Sequence, residues 1–374
     1  RDVYETLRKD VGDDLEEKMR KQYSDRNNVE TNAQADIAII DLFRTFPGRT
    51  DDPNATDIFV VPYAAATHCI SKPDGIWKGA CGHISGQQIR EGVFNTLNHY
   101  KGNENRHLFL NVINQGNSNP VMRDTPLSLT IGPRYKSTNI LVPYLNNLPS
   151  FQPSVVMNRG KDWWTRPRTY SIAYFFGISN SRMRNSPRLW RQLWLNEVQN
   201  NWPETLGGLP YAIRVMARGN KPPSRFFTHM YKDSIFCPTL PGDTPPQKRF
   251  FDVILMGCIP VVLAFDTHDN YTSWHQPGGR SIYDSFPWIK GSNRTHPQNE
   301  IDYHSFVVEV RGVENFLPTI EALMQNYTEI RRRQLNLMKY ASYFSYGMGA
   351  DSHAYPDAFT KILESLRYHL DVGP

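Results

Sequence analysis

The sequence predicts an α/β protein built as two tandem layered domains with a cleft between them. Three observations carry that expectation. At 374 residues and 43.2 kDa the chain is too long for one ordinary core, and suits two domains of roughly 150–200 residues each. Short apolar runs ending in Pro or Gly alternate with helical stretches, as buried strands of a parallel sheet do. The alternation is interrupted by the basic, Pro/Asn-rich stretch 145–168, LNNLPSFQPSVVMNRGKDWWTRPR, which reads as an irregular linker.

Taken in order, residues 1–26 are charged, with Leu7, Val11, Leu15 and Met19 near four-residue spacing, the pattern of a packing helix. The stretch 33–46, AQADIAIIDLFRTF, predicts an amphipathic helix stopped by Pro47-Gly48. DIFVVP at 57–62, LFLNVI at 108–113 and NILVP at 139–143 are strand-like, with a helical pattern at 86–100. Past the linker, 169–176 is a strand ending at Gly177, 188–199 a helix, and 225–231 leads into a strand at 234–237. A Gly/Pro loop follows, then a helix carrying Arg249 and Asp252, then a buried strand reaching Val262. A strand at 305–310, two helical patterns within 313–340 and a closing helix at 358–370 complete the chain. There is no internal repeat at solenoid spacing.

Net charge is +5, from 42 basic and 37 acidic residues. Beyond Arg331-Arg332-Arg333, a solvated face on a helix, no basic block is present; nucleic acid is therefore not the expected partner, and a small anionic ligand is. The longest apolar run, 253–265, is broken by Gly257 and Pro260 and falls short of the ~20 residues a membrane span needs. The chain begins at Arg1 rather than Met, so the expectation is a trimmed or mature domain. The four cysteines fall as two local pairs, Cys69 with Cys81 and Cys237 with Cys258, spaced as loop-closing disulfides of an oxidising lumen; four buried thiols are the alternative. No Cys-x-x-Cys or His-x-x-x-His pattern points to zinc. Glycosylation sequons stand at Asn54, Asn270, Asn293 and Asn326.

The stretch FCPTLPGDTPPQKRFFDVILMGCIPVV carries the most chemistry. Pro245 and Pro246 suit a helix's first turn, where a missing N–H costs nothing, and Gly242 lets the loop backbone approach a ligand. The helix start offers unpaired amides and a partial positive charge of ~0.5. Arg249 can pair with a diphosphate oxygen, and Asp252, three residues on, can accept from ribose hydroxyls. The structural alternative is an exposed Arg–Asp pair on a plain helix. Neither G-x-x-x-x-G-K-[ST] nor G-x-G-x-x-G is present.

Ser234-Ile-Phe-Cys237, Pro241-Gly-Asp-Thr-Pro245, Arg249-Phe-Phe-Asp252 and Gly257-Cys-Ile-Pro-Val261 together resemble the diagnostic block of the exostosin-like family of inverting, UDP-sugar-dependent glycosyltransferases. Phe43-Arg-Thr, Asp52-Pro53 and 57–62 resemble its N-terminal half, and Arg168 with Tyr174-Phe-Phe-Gly177 and Arg182 or Arg184 its interdomain strand and loop. The resemblance implies a GT-B architecture, two Rossmann-like domains facing across a cleft. Residues 1–160 would form the acceptor-side domain, 161–345 the nucleotide-sugar domain, and 346–374 a helical segment packing back on the first. It also implies that Arg249, the catalytic residue expected, holds the diphosphate and Asp252 the ribose. The backbone from Phe236 through Pro238 to Thr239 would frame the uracil, with Gly242, Asp243 and Thr244 in the adjoining loop. Arg168, Gly177, Arg182 and Arg184 would close on phosphate; where relatives carry an acidic residue after a Phe-x-Val strand, this chain departs from the pattern, with Glu309 inside the strand 306–310. No Asp-x-Asp metal pair is present, so no metal or other cofactor is expected.

The function so implied is transfer of a sugar from a UDP-sugar donor to a polysaccharide or glycoprotein glycan. The setting would be the Golgi lumen or endoplasmic reticulum, as a type II membrane protein whose anchor is missing from this chain. A homo- or hetero-dimer with a related transferase is one expected assembly. The alternative is a non-catalytic transferase-like subunit or glycan-binding scaffold. Asp124, Glu91, His68 and His83 are candidates for the catalytic base, each also readable as structural.

Overall fold

A computed structural model describes residues 35–62, 94–112, 127–131, 139–145, 148–177, 188–216, 224–240, 247–264, 282–292 and 295–372. It contains two parallel sheets, of four and five strands.

The first described helix, α1 (Ala35–Thr45), buries Ile37, Ile39, Ile40 and Leu42 and stops ahead of Pro47. The first sheet runs β1 (Phe59–Val60), β2 (His107–Asn111), β3 (Leu127–Thr130) and β4 (Asn139–Leu141), in that spatial order and parallel throughout. Strand β3 is not legible in the hydropathy pattern, because Ser128 and Thr130 interrupt its apolar residues. Both are buried, and Ser128 Oγ accepts a 2.7 Å hydrogen bond from Asn139 Nδ2 of β4. The helical reading of 86–100 falls largely outside the described residues; its described end holds a single 3₁₀ turn, Phe94–Thr96.

The stretch expected to be an irregular linker is instead ordered. It forms a 3₁₀ turn (Pro149–Phe151), then α2 (Pro153–Met157) and α3 (Lys161–Thr165), with Phe151 and Trp164 fully buried. Helices of five residues are too short to show a 3.6-residue period, and Pro153 begins α2 at a position where proline is tolerated.

The second sheet comprises β5 (Tyr170–Phe176), β6 (Ala212–Val215), β7 (Ser234–Pro238), β8 (Ile259–Ala264) and β9 (Val308–Arg311). All are parallel, in spatial order β6-β5-β7-β8-β9. Three crossover helices connect them: α4 (Arg188–Asn201), α5 (Ser224–Lys232) and α6 (Lys248–Leu255). The two faces of β5 are covered by different helices. Tyr174 packs edge-on against Trp194 of α4, while Phe175 meets Phe226 and Phe227 of α5. Helix α6 ends in the left-handed Gly257 (φ +69°), with Cys258 N–H returning to Val253 O at 3.0 Å, a glycine stop. A disulfide joins Cys237 of β7 to Cys258 ahead of β8. Cys69 and Cys81 lie outside the described residues.

After β9 come α7 (Phe316–Met324), α8 (Tyr327–Tyr340) and α9 (Ala358–Val372). The last segment contacts the first half of the chain: Phe359 meets Phe43 and Phe46, and Tyr346 Oη donates to Pro143 O at 3.0 Å. Asp351 accepts from Ser154 N–H at 3.1 Å. Phe251 of α6 also reaches Tyr144, just past β4, so the apolar core is continuous between the two sheets.

Candidate functional site

Strand order locates the site before any side chain is considered. From β5 the chain crosses to β6 on one side, then returns to place β7 on the other. Neighbouring connections thus leave in opposite directions and open a crevice beyond the carboxyl ends of β5 and β7, where open parallel sheets bind ligands. Among the described strands the first sheet shows no such reversal, because its spatial order follows the chain.

Two connections meet at this crevice. Strand β5 ends at Phe176 and passes into Gly177; helix α6 opens at Lys248 with Gln247 as its N-cap. Pro245 and Pro246, expected in the first turn, lie outside the described residues. Arg191 of α4, only 8% exposed, spans the two connections: Nη1 donates to Gly177 O and Nη2 to Gln247 Oε1, each at 3.1 Å. The Gln247 amide thus holds the rim together and makes no side-chain cap to its own helix. That leaves the first amides of α6 as donors for an anion. Arg191 was missed in the sequence, where α4 reads as a packing helix and its partners are 14 and 56 residues away.

Arg249 stands in the first turn of α6, half-buried. Its guanidinium carbon lies 5.0 Å from the centroid of the Tyr174 ring, a cation–π distance. Burial opposes its charge, but Tyr231, Tyr174 and Asp252 together outweigh that and raise its pKa above the ordinary arginine value. Burial in turn pushes the Tyr231 phenol up to about 12, with Arg249 opposing. Among the described residues the buried Nη1 of Arg249 has no hydrogen-bond partner, and neither has the buried Tyr174 hydroxyl. Unpartnered buried donors are uncommon, and a charged one can serve an anionic ligand.

Asp252 forms an ion pair with Lys248. Lys248 Nζ sits 2.9 Å from both of its carboxylate oxygens.

Other sequence-expected residues fall elsewhere. Arg168, expected to close on phosphate, is bound to backbone carbonyls within the core. It is 6% exposed, and its guanidinium donates to Lys232 O, to Trp164 O at 2.9 Å and to Gly257 O at 3.2 Å. It thereby ties α3 to the last residue of α5 and to Gly257 after α6, at the amino ends of β7 and β8 and away from the crevice. Phe236 and Pro238 are buried in the β7 ladder, and the Thr239 amide is taken by Val261 O at 2.8 Å. Glu309 lies on β9, two strands from β7, near Arg311 Nε at 3.6 Å, and helps burial raise the Tyr283 phenol pKa; it does not join Arg249. Arg182, Arg184, Gly242, Asp243, Thr244 and the base candidates Asp124, Glu91, His68 and His83 lie outside the described residues, as do Asn270 and Asn293.

A separate cleft of about 440 Å³ opens among Ser150, Arg159, Trp163, Thr228, Lys232 and Met256. It adjoins residues preceding β7 and following α6, at the opposite end of the strands, and so is not the seat described above. Among the described residues no three His, Cys, Asp or Glu side chains are grouped to hold a metal ion.

The Exostosin GT47 domain profile matches residues 3–313. Among Arabidopsis thaliana proteins, a probable xyloglucan galactosyltransferase, GT13, is 42% identical over 100 residues, covering 27% of this chain and 17% of that protein. Another, GT19, is 31% identical over 125 residues, covering 33% and 25%. Xyloglucan-specific galacturonosyltransferase 1 is 41% identical over 56 residues, covering 14% and 8%. This chain therefore aligns with a quarter or less of the length of each of these relatives.

Proposed function

Because this chain belongs to the exostosin GT47 domain family, we propose that it is an inverting glycosyltransferase of GT-B architecture. It moves a sugar from a UDP-sugar to a hydroxyl of a polysaccharide or glycan. The observation carrying this reading is the buried Nη1 of Arg249, without a partner among the described residues, beside the start of α6, where Gln247 makes no side-chain cap, at the reversal of strand order. It is a seat for a diphosphate.

The chemistry assigned to these residues is electrostatic. The acceptor oxygen attacks the anomeric carbon from the face opposite the diphosphate. The bond from that carbon to the diphosphate oxygen breaks with its electron pair, and the acceptor proton passes to a base. Arg249 and the α6 amides meet the negative charge as it develops on the leaving UDP; preset donors of this kind need no reorganisation during the reaction. Arg191 holds the rim that aims α6, and Asp252 accepts from the ribose hydroxyls. Residues 1–160 would present the acceptor across the cleft, where alignment of the two substrates supplies much of the remaining rate. The buried Cys237–Cys258 disulfide supports action in an oxidising lumen such as the Golgi. Among the described residues no helix is long and apolar enough to cross a membrane.

The relatives named for xyloglucan make it the first acceptor to try, and UDP-galactose and UDP-galacturonate the first donors. The test is release of UDP from a panel of UDP-sugars, with and without xyloglucan oligosaccharides. Acceptor-stimulated UDP release from at least one donor is expected. If no donor is turned over and UDP itself does not bind, the proposal fails.

A further inference from the structure

We propose that Asn326 carries an N-linked glycan. The inference is independent of the transferase reading and rests on two separate features. One is local geometry. Asn326-Tyr327-Thr328 is a sequon, and Asn326 is also the N-cap of α8, with its Oδ1 accepting from Glu329 N–H at 3.0 Å. A cap must be an acceptor, so the hydrogen bond fixes which end of the amide faces the helix. Oxygen points in, and the nitrogen, the atom that takes a glycan, is left on the solvent side. All three sequon residues are exposed.

The other feature is the disulfide between Cys237 and Cys258, both fully buried. Such a bond in a folded core belongs to a chain that passed through an oxidising lumen, where glycan transfer to asparagine takes place. Attachment precedes folding, so the requirement on the structure is tolerance of a sugar at Nδ2, and an N-cap with an outward nitrogen meets it. Tyr327, 59% exposed, lies beside the attachment point and is the apolar surface that the first sugar would cover.

The step is a substitution. The Asn326 amide nitrogen attacks the anomeric carbon of an oligosaccharide linked to a lipid diphosphate. A carbon–nitrogen bond forms, the bond from that carbon to the diphosphate oxygen breaks, and the lipid diphosphate leaves with the electron pair. The displaced amide proton passes to the base of the transferring enzyme.

The test is secretion of the chain from a eukaryotic host, treatment with a peptide-N-glycosidase in heavy-oxygen water, and mass spectrometry of the peptide containing position 326. Heavy-oxygen-labelled aspartate at that position is expected. Thr328→Ala should abolish the label there while leaving the cap intact. Asn326→Asp, which also blocks attachment but keeps a capping oxygen, should melt close to the enzymatically deglycosylated protein, and Asn326→Gln should melt lower. An unmodified peptide at 326 in protein glycosylated at another sequon would overturn the proposal. Free thiols at 237 and 258 in secreted, wholly unglycosylated chain would overturn its premise of an oxidising lumen.

Discussion

Replacing Arg168 with methionine distinguishes a brace from a phosphate ligand. The Arg168 guanidinium reaches three backbone carbonyls from within the core. One of them, Lys232 O, also accepts from Arg166 Nη2 at 2.6 Å and keeps a partner after the change. Trp164 O and Gly257 O would each lose a charge-assisted bond, and a buried carbonyl left unpaired costs about 1–3 kcal/mol. Against this, the substitution removes a buried charge that burial and Arg166 already disfavour, lowering the Arg168 pKa to about 9; relief of that penalty offsets part of the loss. The net expectation is a destabilisation of about 2–4 kcal/mol, read as a lower urea midpoint at unchanged slope. UDP affinity, measured by calorimetry in the cold where the variant is folded, should stay within about twofold of wild type. A variant with unchanged urea midpoint and lost UDP binding would refute the brace and return Arg168 to the phosphate site.

Three further outcomes follow from the packing. Cys237→Ala combined with Cys258→Ala opens a bridge across a sequence separation of 21 and should lower stability by about 3 kcal/mol; an unchanged urea midpoint would contradict it. Gly257→Ala places a Cβ at 3.1 Å from Arg168 Nη2, Trp163 and Trp164 on backbone at φ +69°. It should cost about 1–3 kcal/mol in a thermal melt, and a neutral result would show that the α6 stop can relax. Burial lowers the His107 pKa below its ordinary 6.5, against its contact with Asn103 O. The folded value then lies under the unfolded one, so this contribution is complete above about pH 6.5 and is lost as pH falls through the folded pKa. His107→Asn should flatten the acid limb of the stability–pH curve, and an identical limb would exclude the imidazole as its source.

The parts of the fold legible in the sequence are those where hydropathy and punctuation agree. Strands β5, β7 and β8 are apolar runs bounded by Gly177, Pro238 or Gly257, and α6 lies between two of them. What hydropathy cannot register is a buried polar pair such as Ser128 with Asn139, which conceals β3, or the four-residue edge strand β6. Arginines divide similarly. Arg249 is marked by its place after a Gly/Pro loop, whereas the roles of Arg168 and Arg191 depend on carbonyls and an amide up to 89 and 56 residues away. A side chain with five donors reads the same in sequence whether it braces a core or meets a ligand.

The central claim is that the start of α6 grips a nucleotide diphosphate through Arg249, and calorimetric titration of UDP into wild type and a folded Arg249→Ala variant tests it most directly. Loss of one charged donor, worth about 1.5–3 kcal/mol, should weaken UDP binding by about tenfold or more. Equal affinity in the two proteins, with the variant's circular dichroism unchanged, would contradict the account.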